Sequence, residues 1–176
     1  SPASVERLII KTHVNADGSD VEIRETTKLI RAQIAIDSYS QADISFNSTF
    51  ETVEVLEAYT TTNTGQKIPV AKNAIREVDD DISGGTQQFS DEKHRIIIFP
   101  NVTPGARVTY KVKITSHTPL FAKNYQKGVY FSPSLEIQQF EWHFSHDPRL
   151  MIKVDAKNVF NEIDPAVIIN FVRDEL

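Results

Sequence analysis

Residues 107–115 read RVTYKVKIT, and Val108, Tyr110, Val112 and Ile114 alternate without a break with Arg107, Thr109, Lys111, Lys113 and Thr115. A period of two sends one set to each side of an extended chain, so this stretch fits a strand with one face buried and one wet. Residues 95–98, RIII, are also strand-like, and Pro104 and Gly105 punctuate the chain between the two runs. The whole of 95–116 therefore reads as a hairpin about a tight Pro-Gly turn.

The same pattern recurs along the chain. Residues 5–14, VERLIIKTHV, set Leu8, Ile10, Thr12 and Val14 against Ile9, Lys11 and His13. The NADG that follows is a strong hairpin signal, because Asp-Gly supplies the positive φ a tight turn between paired strands needs. The return run puts Val21 and Ile23 inward with Glu22 and Arg24 outward. Strand character is expected to continue to about Ala32, with a short helical turn through Ser38, Tyr39 and Ser40. Residues 42–46 and 50–60 return to strand, with Val53, Val55 and Glu57 on one side and Glu54, Leu56 and Ala58 on the other. Asn63, Thr64 and Gly65 then turn the chain into a second hairpin closed by 67–70.

Residues 71–93 change character. EVDDD at 77–81 and SGGT at 83–86 are acidic and glycine-rich, the composition of a long mobile loop. A second long connection begins at Thr118 and carries Phe121, Tyr125, Tyr130 and Phe131. In 135–144, Leu135 and Ile137 share one phase while Phe140, Trp142 and Phe144 share the other, so the shift at Gln138 and Gln139 predicts a β-bulge. Asp147 and Pro148 make a turn, and Leu150, Ile152 and Val154 form a further alternating strand. Short half-apolar strands separated by turns must cover one another's faces. That requirement predicts an all-β protein, an immunoglobulin-like β-sandwich of mostly antiparallel strands with two long loops and one short helix. A closed barrel is the alternative, and the two long connections favour the sandwich. The sandwich is expected over 1–157, with 158–176 as a C-terminal extension or the start of a linker to a downstream domain.

Composition narrows function mainly by exclusion. The chain has no cysteine, so it contains no disulfide, thiolate metal site or cysteine nucleophile. A net charge of −5 argues against nucleic acid, and the one regular basic row, Arg107, Lys111 and Lys113, reads as the solvated side of a strand. No run approaches the ~20 apolar residues of a membrane helix, so membrane insertion is not expected. The polar start, Ser1 to Ser4, is not a signal peptide and suits a mature protein whose signal has been removed.

The order of features carries a resemblance. VEVLEAYTTTNTGQKIPV at 53–70 is followed by a polar loop, by Phe89, Ser90 and Asp91, and by IIIFPNVTPGARVTYKVKITS at 96–116. Over roughly 5–155 this resembles the bacterial domain of unknown function that lies N-terminal to transglutaminase-like domains. The resemblance implies an immunoglobulin-like sandwich in a periplasmic or secreted protein, followed by a papain-like cysteine domain as its partner. It supplies no catalytic residue for this chain.

Candidate chemistry is sparse. His143 and His146, with Glu141 and Asp147 nearby, have a metal-like composition, but strand residues three apart point to opposite faces. Asp79, Asp80 and Asp81 lack the spacing of a calcium loop. Ser, His and Asp occur without a nucleophile elbow. No enzyme, metal or cofactor is expected. The aromatic connection is the expected contact surface, through Phe121, Tyr125, Tyr130 and Phe131, either to the downstream domain or, alternatively, to carbohydrate or peptide of a cell-envelope polymer. Trp142, in phase with Phe140 and Phe144, reads as core.

Overall fold

Among the described residues the alternating runs become ten strands: β1 (Ala3–Val14), β2 (Asp20–Ile30), β3 (Gln41–Asn47), β4 (Glu51–Thr61), β5 (Lys67–Pro69), β6 (Ile75–Asp79), β7 (Glu92–Ile98), β8 (Arg107–Ser116), β9 (Glu136–Ile137) and β10 (Phe140–His146). A computed structural model describes residues 1–79, 91–119, 125–131 and 136–152. The strands form two sheets, a seven-stranded one in the order β10-β1-β2-β8-β4-β5, with β9 also on β1, and a three-stranded one in the order β3-β7-β6. Pairing is antiparallel except where β9 and β10 run parallel to β1. This is the expected all-β sandwich.

The small sheet covers only part of the large one. Ala42, Ile44, Phe46, Ile97 and Phe99 pack onto Val53, Val108, Tyr110, Val112 and Ile114, so the core lies over β4 and β8. Val112 is fully buried and Val108 nearly so. Each such side chain contributes about 1.5–3 kcal/mol by leaving water. The helical turn falls near its expected place, as a 3₁₀ turn at Gln33–Ala35 running into α1 (Ile36–Tyr39). It closes one end of the sandwich, where Ala35, Ile36 and Tyr39 pack with Ala3 and Ile30.

The stretch 95–116 is not a hairpin. β7 pairs with β3 and β6, and β8 pairs with β2 and β4, so the chain between them crosses from one sheet to the other. Both runs have an apolar face, and pairing side by side would leave those faces uncovered. Facing each other, they bring Phe99 and Tyr110 within 6.2 Å between ring centroids. The crossing is fastened to other strands: Phe99 N–H donates to Ser40 O at 2.9 Å and Gly105 N–H to Ile30 O at 2.7 Å.

Gly105 has φ +89, and a Cβ there would lie 3.0 Å from Asn63 Cβ, whereas Gly65 has φ +88 with nothing within 4 Å. Gly105→Ala is expected to cost about 1–3 kcal/mol and more than Gly65→Ala, because only the former adds a clash to the backbone strain. Urea unfolding of the two variants checks this.

Three further expectations change, and a fourth is met. Residues 71–93 are only partly loop, since β6 pairs antiparallel with β7, while 80–90 lie outside the described residues. On β4 the register shifts between Val55 and Glu57. Ala58 therefore turns to the core beside Val53 and Val55, while Leu56 is left exposed and Glu57 faces Lys111. The interruption at Gln138 and Gln139 is present, and β1 carries its own shift between Val5 and Arg7 directly alongside. Pairing therefore resumes at Leu8 and Phe140 in the same register. Residues 150–152 are not strand, and Val154 with the rest of the C-terminal segment lies outside the described residues.

The outer face of the large sheet is wet and laced with charge. Lys111 lies between Glu25 and Glu57, Lys113 is opposite Glu54, and Arg107 makes a two-pronged pair with Glu6 at 2.6 and 2.9 Å. Among the described residues no helix is long and apolar enough to cross a membrane.

Candidate functional site

The inner face of β2 is polar where its neighbours are apolar. Asp20, Glu22, Arg24, Thr26 and Lys28 line it, between Leu8, Ile10, Thr12 and Val14 of β1 and Val108, Tyr110, Val112 and Ile114 of β8. This reverses the expected phase of β2: Glu22 is 1% exposed, while Val21 and Ile23 lie half-buried on the outer face. Ile23 pairs there with Lys11 and Lys113, whose alkyl stems can cover an isolated apolar side chain.

A buried carboxylate needs partners, because desolvation of an unpaired one costs several kcal/mol. Glu22 has two: Arg24 donates to its Oε1 at 2.7 Å, and Lys127 Nζ lies 2.9 Å from its Oε2. Lys127 also reaches Asp20 Oδ2 at 3.0 Å. The quartet Asp20, Glu22, Arg24 and Lys127 is charge-balanced, and Lys127 comes to it from the second long connection. That connection continues over β10, where Tyr125 packs on Phe144 at 6.0 Å and Phe131 meets Phe140 edge-on at 4.7 Å. Residues 125–131 thus form a strap over the part of the large sheet that the small sheet leaves open.

The strap's titratable groups feel this position. Burial lowers the Lys127 ammonium, but Glu22 and Asp20 raise it by more and hold it above the ordinary lysine range. Burial, reinforced by Asp20 and Glu22, pushes the Tyr125 phenol up as well. Both groups therefore bind their protons more tightly in the folded state. The resulting stability is complete below their unfolded values, about 10 for Tyr and about 10.4 for Lys, and is lost as pH rises through the folded ones. Lys67 and Lys93 shift in the same direction, but both are solvent-exposed surface pairs and add little. From neutral pH, thermal unfolding is expected to be flat up to about pH 10 and then to fall, by at most about 1.4 kcal/mol per pH unit for each group. Pairing Lys127→Met with Tyr125→Phe should flatten that alkaline limb.

The aromatic residues expected to form one contact surface divide. Tyr130 is 94% exposed and Phe131 39% exposed, whereas the hydroxyl of Tyr125 is buried without a hydrogen-bond partner. Phe121 lies outside the described residues. Trp142 shares the inner face with Phe140 and Phe144, and its Nε1–H donates to Thr12 Oγ1 at 3.0 Å. His143 and His146 point to opposite faces: His143 pairs with Glu141 at 2.9 Å on the outer side, and His146 Nδ1 contacts Asp147 O. Glu141 lies below the usual carboxylate range, chiefly through His143 and then Gln139. Asp147 lies further below it, because the side chain and backbone N–H of Arg149 both donate to it. Asp79 sits 3.9 Å from Lys93, while Asp80 and Asp81 lie outside the described residues. Among the described residues no group of three or more His, Asp or Glu could hold a metal ion. A shallow groove of about 510 Å³ on the outer side of β1 and β10 is lined by Arg7, which pairs with Glu25, by His143, which contacts Glu141, and by Lys11.

The arrangement presents a latched strap with an exposed aromatic tip. The quartet was not foreseen from sequence, although the uninterrupted polar alternation from Asp20 to Lys28 was its visible signal.

Residues 16–162 match the family described as a domain of unknown function with a solved structure, DUF3857. The chain belongs to the DUF3857 family. No curated protein matches this DUF3857 chain. Among solved structures it is similar to a protein of Parabacteroides distasonis proposed to be a protease, with a TM-score of 0.60 and 20% identity, over 65% of this chain and 23% of that one. At that identity the likeness concerns the fold, and DUF3857 here spans under a quarter of the longer protein. Two family 3a carbohydrate-binding modules of the Clostridium thermocellum scaffoldin CipA also match over 65% of this chain, covering 68% and 75% of theirs. They are 13% identical, with TM-scores of 0.38 and 0.37, too low to support any conclusion about binding.

Proposed function

We propose that this DUF3857 chain is a non-catalytic β-sandwich module that packs against and positions a transglutaminase-like cysteine domain downstream in the same polypeptide, in a periplasmic or secreted bacterial protein. The supporting observation is that the matching fold takes up 23% of a longer protein proposed to be a protease. The phrases TGQKIPV and FPNVTPG, with their resemblance to a transglutaminase-associated domain, point the same way. The contact would use the second long connection and the C-terminal segment. Tyr130 and Phe131 project from the strap there, and large rigid aromatics of this kind anchor interfaces.

Calorimetric titration of this chain with the separately expressed downstream domain tests the reading. Expected is binding in the micromolar range, typical of an interface between domains, weakened tenfold or more by Tyr130→Ala with Phe131→Ala. A downstream sequence with no Cys-His-Asp domain would overturn it. So would peptidoglycan retention by the isolated chain with no affinity for the neighbouring domain.

A further inference from the structure

The strap is attached to the sandwich in an unusual way. Among the described residues, 125–131 make no backbone–backbone hydrogen bond, and the attachments seen there are between side chains. The attachments are Lys127 on Asp20 and Glu22, Tyr125 on Phe144, and Phe131 on Phe140. The main core of the sandwich lies away from them, over β4 and β8 on the other side of β2. Segments with few buried contacts and no backbone ladder open at a free energy well below that of global unfolding.

Two features make the closed state costly. Asp20 and Glu22 are almost completely removed from water, at 6% and 1% side-chain exposure, and lifting Lys127 would return them to solvent. The Tyr125 hydroxyl is buried with no partner, which is unfavourable relative to a hydrated one. Opening would also bare a row of aromatics. Phe140 and Phe144 lie beneath the strap's rings, with Trp142 between them on the same face.

We propose that residues 125–131 are a releasable cover, latched by Lys127 onto Asp20 and Glu22, which opens without unfolding the sandwich and exposes the Phe140, Trp142 and Phe144 face of β10. The latch lies within one chain and does not depend on the identity of any partner domain. The groups around it are Asp20, Glu22 and Arg24 from β2, Tyr125 from the strap, and His146 in the Asp20 row of β10. Two positively charged and two negatively charged partners leave no net repulsion to spring it, so the Lys127 pairs set how often it opens.

Trp142 is the single tryptophan of the chain and reports on this face directly. Acrylamide quenching of its fluorescence at neutral pH is measured beside amide hydrogen exchange resolved by mass spectrometry. Lys127→Met is expected to raise the quenching constant about twofold or more and to speed exchange in 125–131, while β2 and β8 keep their protection. Tyr125→Phe keeps the ring and removes the stranded hydroxyl, and is expected to lower quenching below the wild-type value. Unchanged quenching and exchange in Lys127→Met would overturn the proposal. Loss of β2 and β8 protection in step with 125–131 would do the same, since the strap would then be an integral part of the sandwich.

Discussion

Ile97→Ala is expected to destabilise the protein by about 2–5 kcal/mol, the range for truncating an isoleucine in a core that cannot close around the gap. Ile97 is fully buried. It pairs with Ala42 on one side and Ile75 on the other, and contributes to the cluster that joins the small sheet to β4 and β8. Ala42 is too small to swing into the space. Two sheets already spaced by their larger side chains move together only slightly, so most of the cavity would remain. For a chain of this length the loss corresponds to a Tm fall of about 5–20 °C. The neighbouring Ile98 is 37% exposed and points the other way, so Ile98→Ala should stay within about 0.5 kcal/mol of wild type. Guanidinium unfolding of the pair decides the matter. Equal losses, or a larger loss at Ile98, would mean that β7 presents the opposite face to the core.

That pair shows why part of the fold was unreadable in advance. Residues 96–98 are three isoleucines in a row, so the sequence has no alternation from which to choose the inner face. β8 does alternate, and its buried set is the expected Val108, Tyr110, Val112 and Ile114. The relation between β7 and β8 was misread because strand pattern specifies a face but not a partner. A Pro-Gly turn suits an arch between sheets as well as a hairpin, and here the Gly105 N–H bonds to Ile30 O and so delivers β8 to β2. By contrast, the NADG hairpin and the one at Asn63 to Gly65 form as expected, because their pairing is local and turn chemistry fixes it.

The candidate site was harder to foresee, for a reason of the same kind. An apolar-inside rule places Val21 and Ile23 in the core and Glu22 and Arg24 in water. It fails on β2 because one of the two charges that neutralise Asp20 and Glu22, that of Lys127, comes from more than a hundred residues away. No local pattern reports a partner that distant. The aromatic connection was visible as a surface element, and Tyr130 is indeed exposed, but the same stretch also contains Tyr125 and Lys127, which face inward. Alternation in an irregular segment is not set by a strand's period of two, so nothing in the sequence separates its inward from its outward side chains.

The phase of β2 also makes Glu22 the most consequential charge in the molecule. Glu22→Ala is expected to cost about 1–3 kcal/mol, as when one partner is removed from a buried, partly solvated charged hydrogen bond. Lys127 would keep Asp20, and the strap could carry it toward water. Arg24 is anchored in β2 between Ile10 and Val112 and its Nε lacks a partner, while 34% of its side chain stays in water. The loss should therefore come from the buried part of the guanidinium left without its carboxylate and from the gap at the Glu22 side chain. Replacing both partners by apolar residues removes the unpaired charge together with its desolvation cost, and such exchanges are often neutral or stabilising. Glu22→Leu combined with Arg24→Leu is thus expected to lie within about 1 kcal/mol of wild type, far from the sum of the single losses. A double-mutant cycle by urea unfolding gives the coupling directly. Additive losses would show that the two side chains do not depend on each other, and that the row on β2 is not the buried, mutually neutralised network its distances describe.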